Sequence, residues 1–442
     1  MTTHVHKFGG SCLSCAADID AIVSRVQHST NKQILIVSAF RGVTDRLMEQ
    51  IDSPRPNSIK PFVSSIEIEH LECVPEIIDS PWAVRFAETL HYLANRLTEY
   101  YENPTPAIRA DALACGERLS SLAVAAALDA AGIPAQPSWS EDVGIRLIGT
   151  GEFAHIDAEK TQSLINLPMG AIPVITGWYG TTKDGIALLG RGGSDLTATT
   201  VAAALDANDI TIWRDVQGVL ALSPRWALPG RNLRNLSYTE AAELALFSEP
   251  MLHPNAVEPL RKIGIPLHIR PLHEPESNGT IIGPSINTES PVIRAVGCLP
   301  YLVPLSWTLS SALSLTESVS NATAALGRER IRIASLRALP GRVRLLVPAR
   351  MAARAERVLR DKPSLPTPIV GNAMSILCFV GEGIGQQAEI RQQIALAASN
   401  GGINLTFNDD EIRDHALHAA VPANQTEDAL LTLCSSLGLL VN

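Results

Sequence analysis

The 442-residue sequence predicts an α/β chain: a three-layer αβα domain with a mainly parallel sheet, followed by two small α+β domains. Three observations predict it. Short apolar, β-branched runs alternate with segments of helical period over the first ~285 residues. Glycine-rich turns follow several of those runs, where parallel sheets place their ligands. Beyond a Pro-rich stretch, 271–291, the elements become shorter and strand pairs precede helices. The domain boundaries are expected at 1–285, 292–368 and 369–442.

Composition bounds the function. Hydrophobic residues make up 46% and charged residues 18%, a globular balance, and the formal net charge is -9. A net-acidic chain disfavours nucleic acid and anionic membranes as partners, although a few local cations suffice to hold an anionic substrate. No apolar run reaches the roughly 18 residues of a membrane span, and the N-terminus lacks a basic region followed by an apolar one. Seven scattered cysteines in a long chain suit reduced thiols and a cytoplasmic location. Cys12-x-x-Cys15 lacks partners of metal-site spacing, so it reads as two small residues on a helix's first turn, and no protein-held metal is expected.

The expected strands of the first domain are Val5–Phe8, Ile34–Ser38, Ile172–Thr176, Ile210–Trp213 and Pro266–Ile269. The expected helices are Leu13–Val26, Arg118–Ala131, Asp195–Leu205 and Thr239–Phe247, with a helical insertion over Ser80–Tyr101. In the C-terminal part, strands are expected at Ile331–Ser335, Val343–Val347, Met374–Val380, Ile403–Phe407 and Ala416–Val421. Helices are expected at Ala349–Arg360, Gln386–Ala398 and Gln425–Leu437.

Five segments carry chemistry. Lys7-Phe8-Gly9-Gly10-Ser11 ends the first strand. Its glycines let backbone N–H groups approach a phosphate, and Lys7 offers a point charge; the same pattern also serves as an ordinary tight turn. Ser38-Ala39-Phe40-Arg41-Gly42-Val43-Thr44 follows the second strand. Ser38 and Thr44 are hydrogen-bond donors for a phosphate or carboxylate, and Thr44 is equally a helix cap. In Gly116-Glu117-Arg118-Leu119-Ser120, Glu117 reads either as a binding acid or as an electrostatic cap opening an apolar helix.

Gly190-Arg191-Gly192-Gly193-Ser194-Asp195 is the most informative. Arg191 offers a planar fork for a carboxylate, Asp195 an acceptor for an ammonium, and Ser194 a helix cap. A cation and an anion fixed on one rigid loop suit an α-amino-acid zwitterion. Trp213-Arg214-Asp215-Val216-Gln217-Gly218 ends another strand, where Asp215 serves a nucleotide, Mg²⁺ or a plain turn.

Taken in order, these segments resemble the aspartokinase branch of the amino-acid kinase family. Further matches are Thr176-Gly177, Pro224-Arg225, Glu240-Ala241-x-Glu243-Leu244, Leu252-His253-Pro254 and Gly279-Thr280-x-Ile282. The resemblance covers residues 3 to ~283, and the C-terminal part resembles a pair of ACT-like domains. It implies an ATP- and Mg²⁺-dependent transfer of the γ-phosphoryl group to the side-chain carboxylate of aspartate, by a homodimer joined through those domains. Lys7 would steady the transferring phosphoryl group. Arg191 would clamp the substrate carboxylate, and Glu117 and Asp195 would receive its ammonium. Ser38 and Thr44 would line the acceptor side. Gly9, Gly10, Ser11, Gly192, Gly193, Arg214, Asp215 and Arg225 would face the phosphates and nucleotide.

The departures from that family cluster on the nucleotide side. Arg214 stands where Thr is usual, Leu220 for Tyr, Ser223 for Asp and Pro250 for Lys. In the first expected ACT-like domain, Ser335-Leu336-Arg337-Ala338-Leu339-Pro340-Gly341 replaces a Ser/Thr-rich effector segment, so lysine or threonine feedback is not expected. Two other readings therefore stand beside aspartate kinase: a kinase of another amino-acid-like acceptor, and a non-catalytic amino-acid binder with an impaired ATP site.

Overall fold

The computed structural model describes residues 2–28, 31–53, 58–152, 154–190, 192–247, 252, 254–274, 276–284, 292–309, 314–408 and 414–441. Two compact units are present. The first comprises Met1–Val219, Asn232–Ala242 and Pro250–Ile286; the second comprises Leu220–Arg231, Glu243–Glu249 and Asn287–Asn442.

In the first unit, eight strands among the described residues form one sheet in the order Asn235–Ser237, Thr280–Gly283, Leu267–Pro271, Asp209–Arg214, Thr3–Phe8, Lys32–Val37, Ile172–Thr176, Ala135–Ser138. All neighbours run parallel except the pair Leu267–Pro271 and Thr280–Gly283. The central strands are apolar runs because both faces are covered: Ile34, Leu35, Ile36 and Val37 are fully buried. One helical layer holds Ala16–Gln27, Val43–Asp52 and Pro106–Ala130. The other holds Gly193–Ala204 and Glu258–Arg261. This is the three-layer αβα domain.

The helix Pro106–Ala130 begins twelve residues before the expected Arg118. Its signals are local: Pro106 occupies the first helical position, and the Thr105 side chain accepts from the Ile108 N–H at 3.2 Å. Glu117 is therefore in the middle of a helix and is not an N-terminal electrostatic cap. Two other expected caps also differ. Gly42, with φ +80°, caps Val43–Asp52, and Gly192, with φ +73°, caps Gly193–Ala204, so Thr44 and Ser194 sit inside first turns. Cys12 belongs to the short 3-10 turn Gly10–Cys12, and Cys15 is the N-cap of Ala16–Gln27.

In the second unit the sheet is antiparallel. Its order is Ser335–Leu339, Arg342–Pro348, Ala295–Thr308, Met374–Val380, Ala416–Pro422, Thr406–Phe407, and Ile369–Val370 also pairs with Ala295–Thr308. The long strand serves two neighbours: residues 295–302 pair with Met374–Val380 and residues 302–308 with Arg342–Pro348. Helices Leu315–Arg328, Ala349–Arg360, Ala388–Asn400 and Thr426–Ser436 accompany it. Trp307, Leu305, Leu326, Leu345 and Leu359 pack into one core cluster, and the Trp307 indole N–H is satisfied by Ser318 Oγ at 2.8 Å. The edge strand lies at Ser335–Leu339 rather than Ile331–Ser335, because most of it is exposed and hydrophobic patterning does not mark it.

Candidate active site

The carboxyl ends of four parallel strands converge in the first unit. Phe8 O accepts from the Ser38 N–H at 3.1 Å, and Val37 O accepts from the Gly177 N–H at 2.9 Å. The turn after the first strand and the loop after the second touch closely: a Cβ on Gly10 would stand 3.1 Å from Ala39 O, so only glycine fits without displacing backbone. Gly9 O accepts from the Cys12 N–H at 2.9 Å, closing the Gly9–Ser11 turn.

Lys7 and Asp195 meet at the centre. Lys7 Nζ lies 2.7 Å from Asp195 Oδ1, with side chains only 6% and 4% exposed. Arg214 Nη2 donates to the other oxygen, Asp195 Oδ2, at 2.8 Å. Strand register explains the meeting. Lys7 pairs with Ile212 on the neighbouring strand that ends at Arg214, and Asp195 lies in the first turn of Gly193–Ala204, the helix packed on both. A buried carboxylate is costly unless matched; here two cations match it, one per oxygen. The Arg214–Asp195 contact was not legible in the sequence, because it depends on two elements coming together.

Glu117 is a different kind of buried acid. It is 2% exposed. Its Oε1 accepts from the Ala39 N–H at 3.2 Å, and its Oε2 has no hydrogen-bond partner among the described residues. Gly116 permits this approach: a Cβ there would stand 2.9 Å from the Ala39 Cβ. Burial pushes the Glu117 carboxyl up to about 8, partly opposed by backbone hydrogen bonds and by Arg118. Ala39, whose N–H it takes, is the same loop residue whose carbonyl oxygen faces Gly10. An incoming ammonium would supply the missing partner.

Arg118, the next residue, is structural. It donates to Asp111 at 2.9 Å and Glu141 at 2.6 Å, and it lies against the rings of Trp139 and Tyr179. The Thr176–Gly177 turn is tied down by Ser140, whose N–H donates to Thr176 Oγ1 at 2.8 Å and whose hydroxyl donates to Thr176 O at 2.6 Å. Sequence reasoning missed Ser140, which carries no motif. Trp178 follows with φ +71°, a conformation costing about 1–3 kcal/mol for a non-glycine residue. Its indole N–H donates to Gly190 O at 2.7 Å and its backbone N–H to Thr197 Oγ1 at 3.2 Å, so it braces the glycine-rich loop.

The remaining expected site residues divide. Ser38 and Thr44 lie on the loop and first helical turn after the second strand; Gly9, Gly10 and Ser11 lie on the first turn; Gly192 and Gly193 open the helix that carries Asp195. Asp215 is exposed just beyond Arg214. Arg225 belongs to the second unit, on the turn Pro224–Trp226, with its guanidinium 4.6 Å from the Trp226 ring centroid. Leu220 and Ser223 are also in the second unit. Arg191, His253 and Pro250 lie outside the described residues. None of the seven cysteines is in a disulfide, and no described helix is long and apolar enough to cross a membrane.

Comparison with known proteins places this geometry in context. The model of the amino acid kinase family matches residues 2–271. Aspartokinase 2, chloroplastic, of Arabidopsis thaliana is 28% identical over 315 residues, covering 66% of this chain and 57% of its own length. Aspartokinase 1, chloroplastic, of the same plant is 31% identical over 297 residues, covering 63% and 52%. The chain thus spans little more than half the length of these relatives. Among solved structures, E. coli aspartokinase III in complex with aspartate and ADP (R-state) superposes with a TM-score of 0.83 at 20% identity, covering 99% of this chain and 100% of that one. At that identity the likeness shows the fold.

Proposed function

Since the chain belongs to the amino acid kinase family, we propose that it is an aspartate kinase, transferring the γ-phosphoryl group of ATP to the side-chain carboxylate of L-aspartate. The observation that carries this reading is a contrast between two buried acids: Asp195, matched by Lys7 and Arg214, and Glu117, which takes the Ala39 N–H and leaves one oxygen unpartnered among the described residues. Aspartokinases among the relatives, and the aspartate and ADP held by E. coli aspartokinase III, support the choice of substrate and nucleotide.

The acceptor carboxylate is already a nucleophile, so the chain need supply no strong base. Catalysis is positioning plus charge stabilisation. Glu117 receives the substrate ammonium, and Arg191 clamps the α-carboxylate. Lys7 lies on the transferring phosphoryl group as charge moves to the leaving oxygen. Asp195 orients Lys7, and Arg214 keeps Asp195 from capturing Lys7 outright. Ser38 and Thr44 line the acceptor side, with Gly9, Gly10, Ser11, Gly192 and Gly193 offering backbone to the phosphates; Asp215 belongs to the nucleotide side.

Mg²⁺ supplies charge neutralisation on the ATP phosphates when bound. The chain's donors fit a weak claim on it. Asp195 is matched by cations, which leaves Asp215 the carboxylate at that strand end, so the phosphates and water would be its main ligands. Free thiols suit a cytoplasmic enzyme. Assembly as a homodimer through the second unit is part of the same reading, and light scattering on the purified chain checks it.

The deciding experiment is hydroxamate formation from aspartate, hydroxylamine, ATP and Mg²⁺, with wild type and Lys7→Ala side by side. Wild-type activity that requires aspartate and collapses in the variant supports the reading. Activity with another acceptor and none with aspartate moves the assignment to that acceptor; ATP binding without turnover on any acceptor ends it.

A further inference from the structure

Outside the proposed active site, three metal-capable side chains converge on the second unit's sheet. Cys378 and His418 are direct partners across the strands Met374–Val380 and Ala416–Pro422, so their side chains leave the same face. On the other side of Cys378, in the same row, stands Gly297. The missing side chain there makes room for Phe247: a Cβ on Gly297 would lie 2.6 Å from the Phe247 Cβ. Phe247 in turn lies against the His418 ring at 4.6 Å between centroids. Glu243 is one helical turn before Phe247 and shares its face. Its Oε2 lies 4.0 Å from His418 Nε2. The ligand atoms of Glu243, Cys378 and His418 all lie within 4.8 Å of one another. Cys378 is fully buried, and the Glu243 and His418 side chains are 14% and 12% exposed.

We propose that Glu243, Cys378 and His418 form a binding site for a borderline divalent transition metal such as Zn²⁺. The donor set argues for that class. One sulfur, one imidazole nitrogen and one carboxylate oxygen suit Zn²⁺ and its neighbours and disfavour Mg²⁺ or Ca²⁺, which take oxygen. Zinc–ligand bonds of about 2.0–2.3 Å put neighbouring donors roughly 3.3–3.8 Å apart. The three side chains therefore close by about 1 Å to bind, a change that side-chain rotation supplies. Three protein ligands leave one tetrahedral position for an outside molecule. A cavity of about 430 Å³ adjoins the site, lined by His418 and Phe247 and also by Arg332 and Arg337. Its arginines suit an anionic small molecule at that fourth position.

Co²⁺ is the probe, added to the chelator-treated full chain. The expected result is one equivalent of Co²⁺ per chain, with a thiolate-to-metal charge-transfer band and the visible bands of tetrahedral Co²⁺. Cys378→Ser should abolish the charge-transfer band. His418→Gln and Glu243→Gln, at side chains that reach the surface, should each weaken Co²⁺ binding at least about tenfold. Zn²⁺ should displace Co²⁺ and bleach the bands. Because Cys378→Ser alters a fully buried position, the His418 variant decides alone if the Cys378 variant does not fold: Co²⁺ affinity unchanged in His418→Gln overturns the site. So does the absence of any charge-transfer band in wild type, or a band lost in the Cys12→Ser/Cys15→Ser double variant instead.

Discussion

Two buried acids in the first unit, Asp195 and Glu117, are equally hidden from water but differ in what surrounds them. Asp195 has a cation on each oxygen, Lys7 and Arg214. Glu117 has one backbone N–H and an oxygen without a partner. The chain has satisfied the first with its own residues and left the second expensive. On the proposed reading, Asp195 positions a lysine, and Glu117 is an electrostatic demand that the substrate's ammonium would meet.

Removing a partner from the satisfied acid gives the largest expected effect. Lys7→Ala should lower kcat for acyl phosphate formation about 10²–10³-fold, the usual cost of one missing electrostatic donor. The KM for aspartate should change far less; a loss under tenfold would mean that Arg214 suffices. Arg214→Ala should cost about 10–100-fold in kcat, as expected for one charge-assisted hydrogen bond of roughly 1.5–3 kcal/mol. An unchanged rate would show that Asp195 needs only Lys7.

Glu117→Gln separates function from stability. Aspartate should bind about tenfold more weakly or worse, the loss of one charge-assisted contact, while the ligand-free protein becomes more stable at neutral and higher pH. The sign follows from linkage. A carboxyl raised from 4.5 to about 8 binds more protons folded than unfolded, so its contribution falls as pH rises between those values. Wild type should lose stability across that window relative to the variant, each kcal/mol appearing as about 2–4 °C in Tm. Parallel Tm–pH curves for the two proteins would refute the unmet demand.

The smallest effect is calorimetric. If the substrate ammonium pairs with Glu117, aspartate binding near pH 7 should release a fraction of a proton. Titrations in buffers of different ionisation enthalpy measure it, and heats independent of buffer would place the ammonium elsewhere.

Five of the eight strands in the first unit's sheet were legible because their sequences are buried, mostly β-branched runs, and Ile172–Thr176 coincides with its expected bounds; Ala135–Ser138, Asn235–Ser237 and Thr280–Gly283, short and of mixed polarity, were not. Lys7, Glu117 and Asp195 were legible because each sits in a compact motif. What escaped depends on distance along the chain. Arg214 and Asp195 are 19 residues apart and meet only through packing. The first half of Pro106–Ala130 was hidden by its mixed polarity, although Thr105-Pro106 marked the start. The strand Ala295–Thr308 was hidden by Pro300 and Pro304. A register shift between Leu299 and Leu302 and a positive φ of 52° at Tyr301 let the strand absorb the irregularity.

That strand ties the two lobes of the C-terminal sheet to each other. Its two halves are sewn to different neighbours, so neither lobe of the C-terminal sheet owns a complete set of edges. Excising one lobe by truncation strips the other of half its seam. Removing either lobe therefore strips backbone partners from the other, and the two lobes should melt together as one foldon.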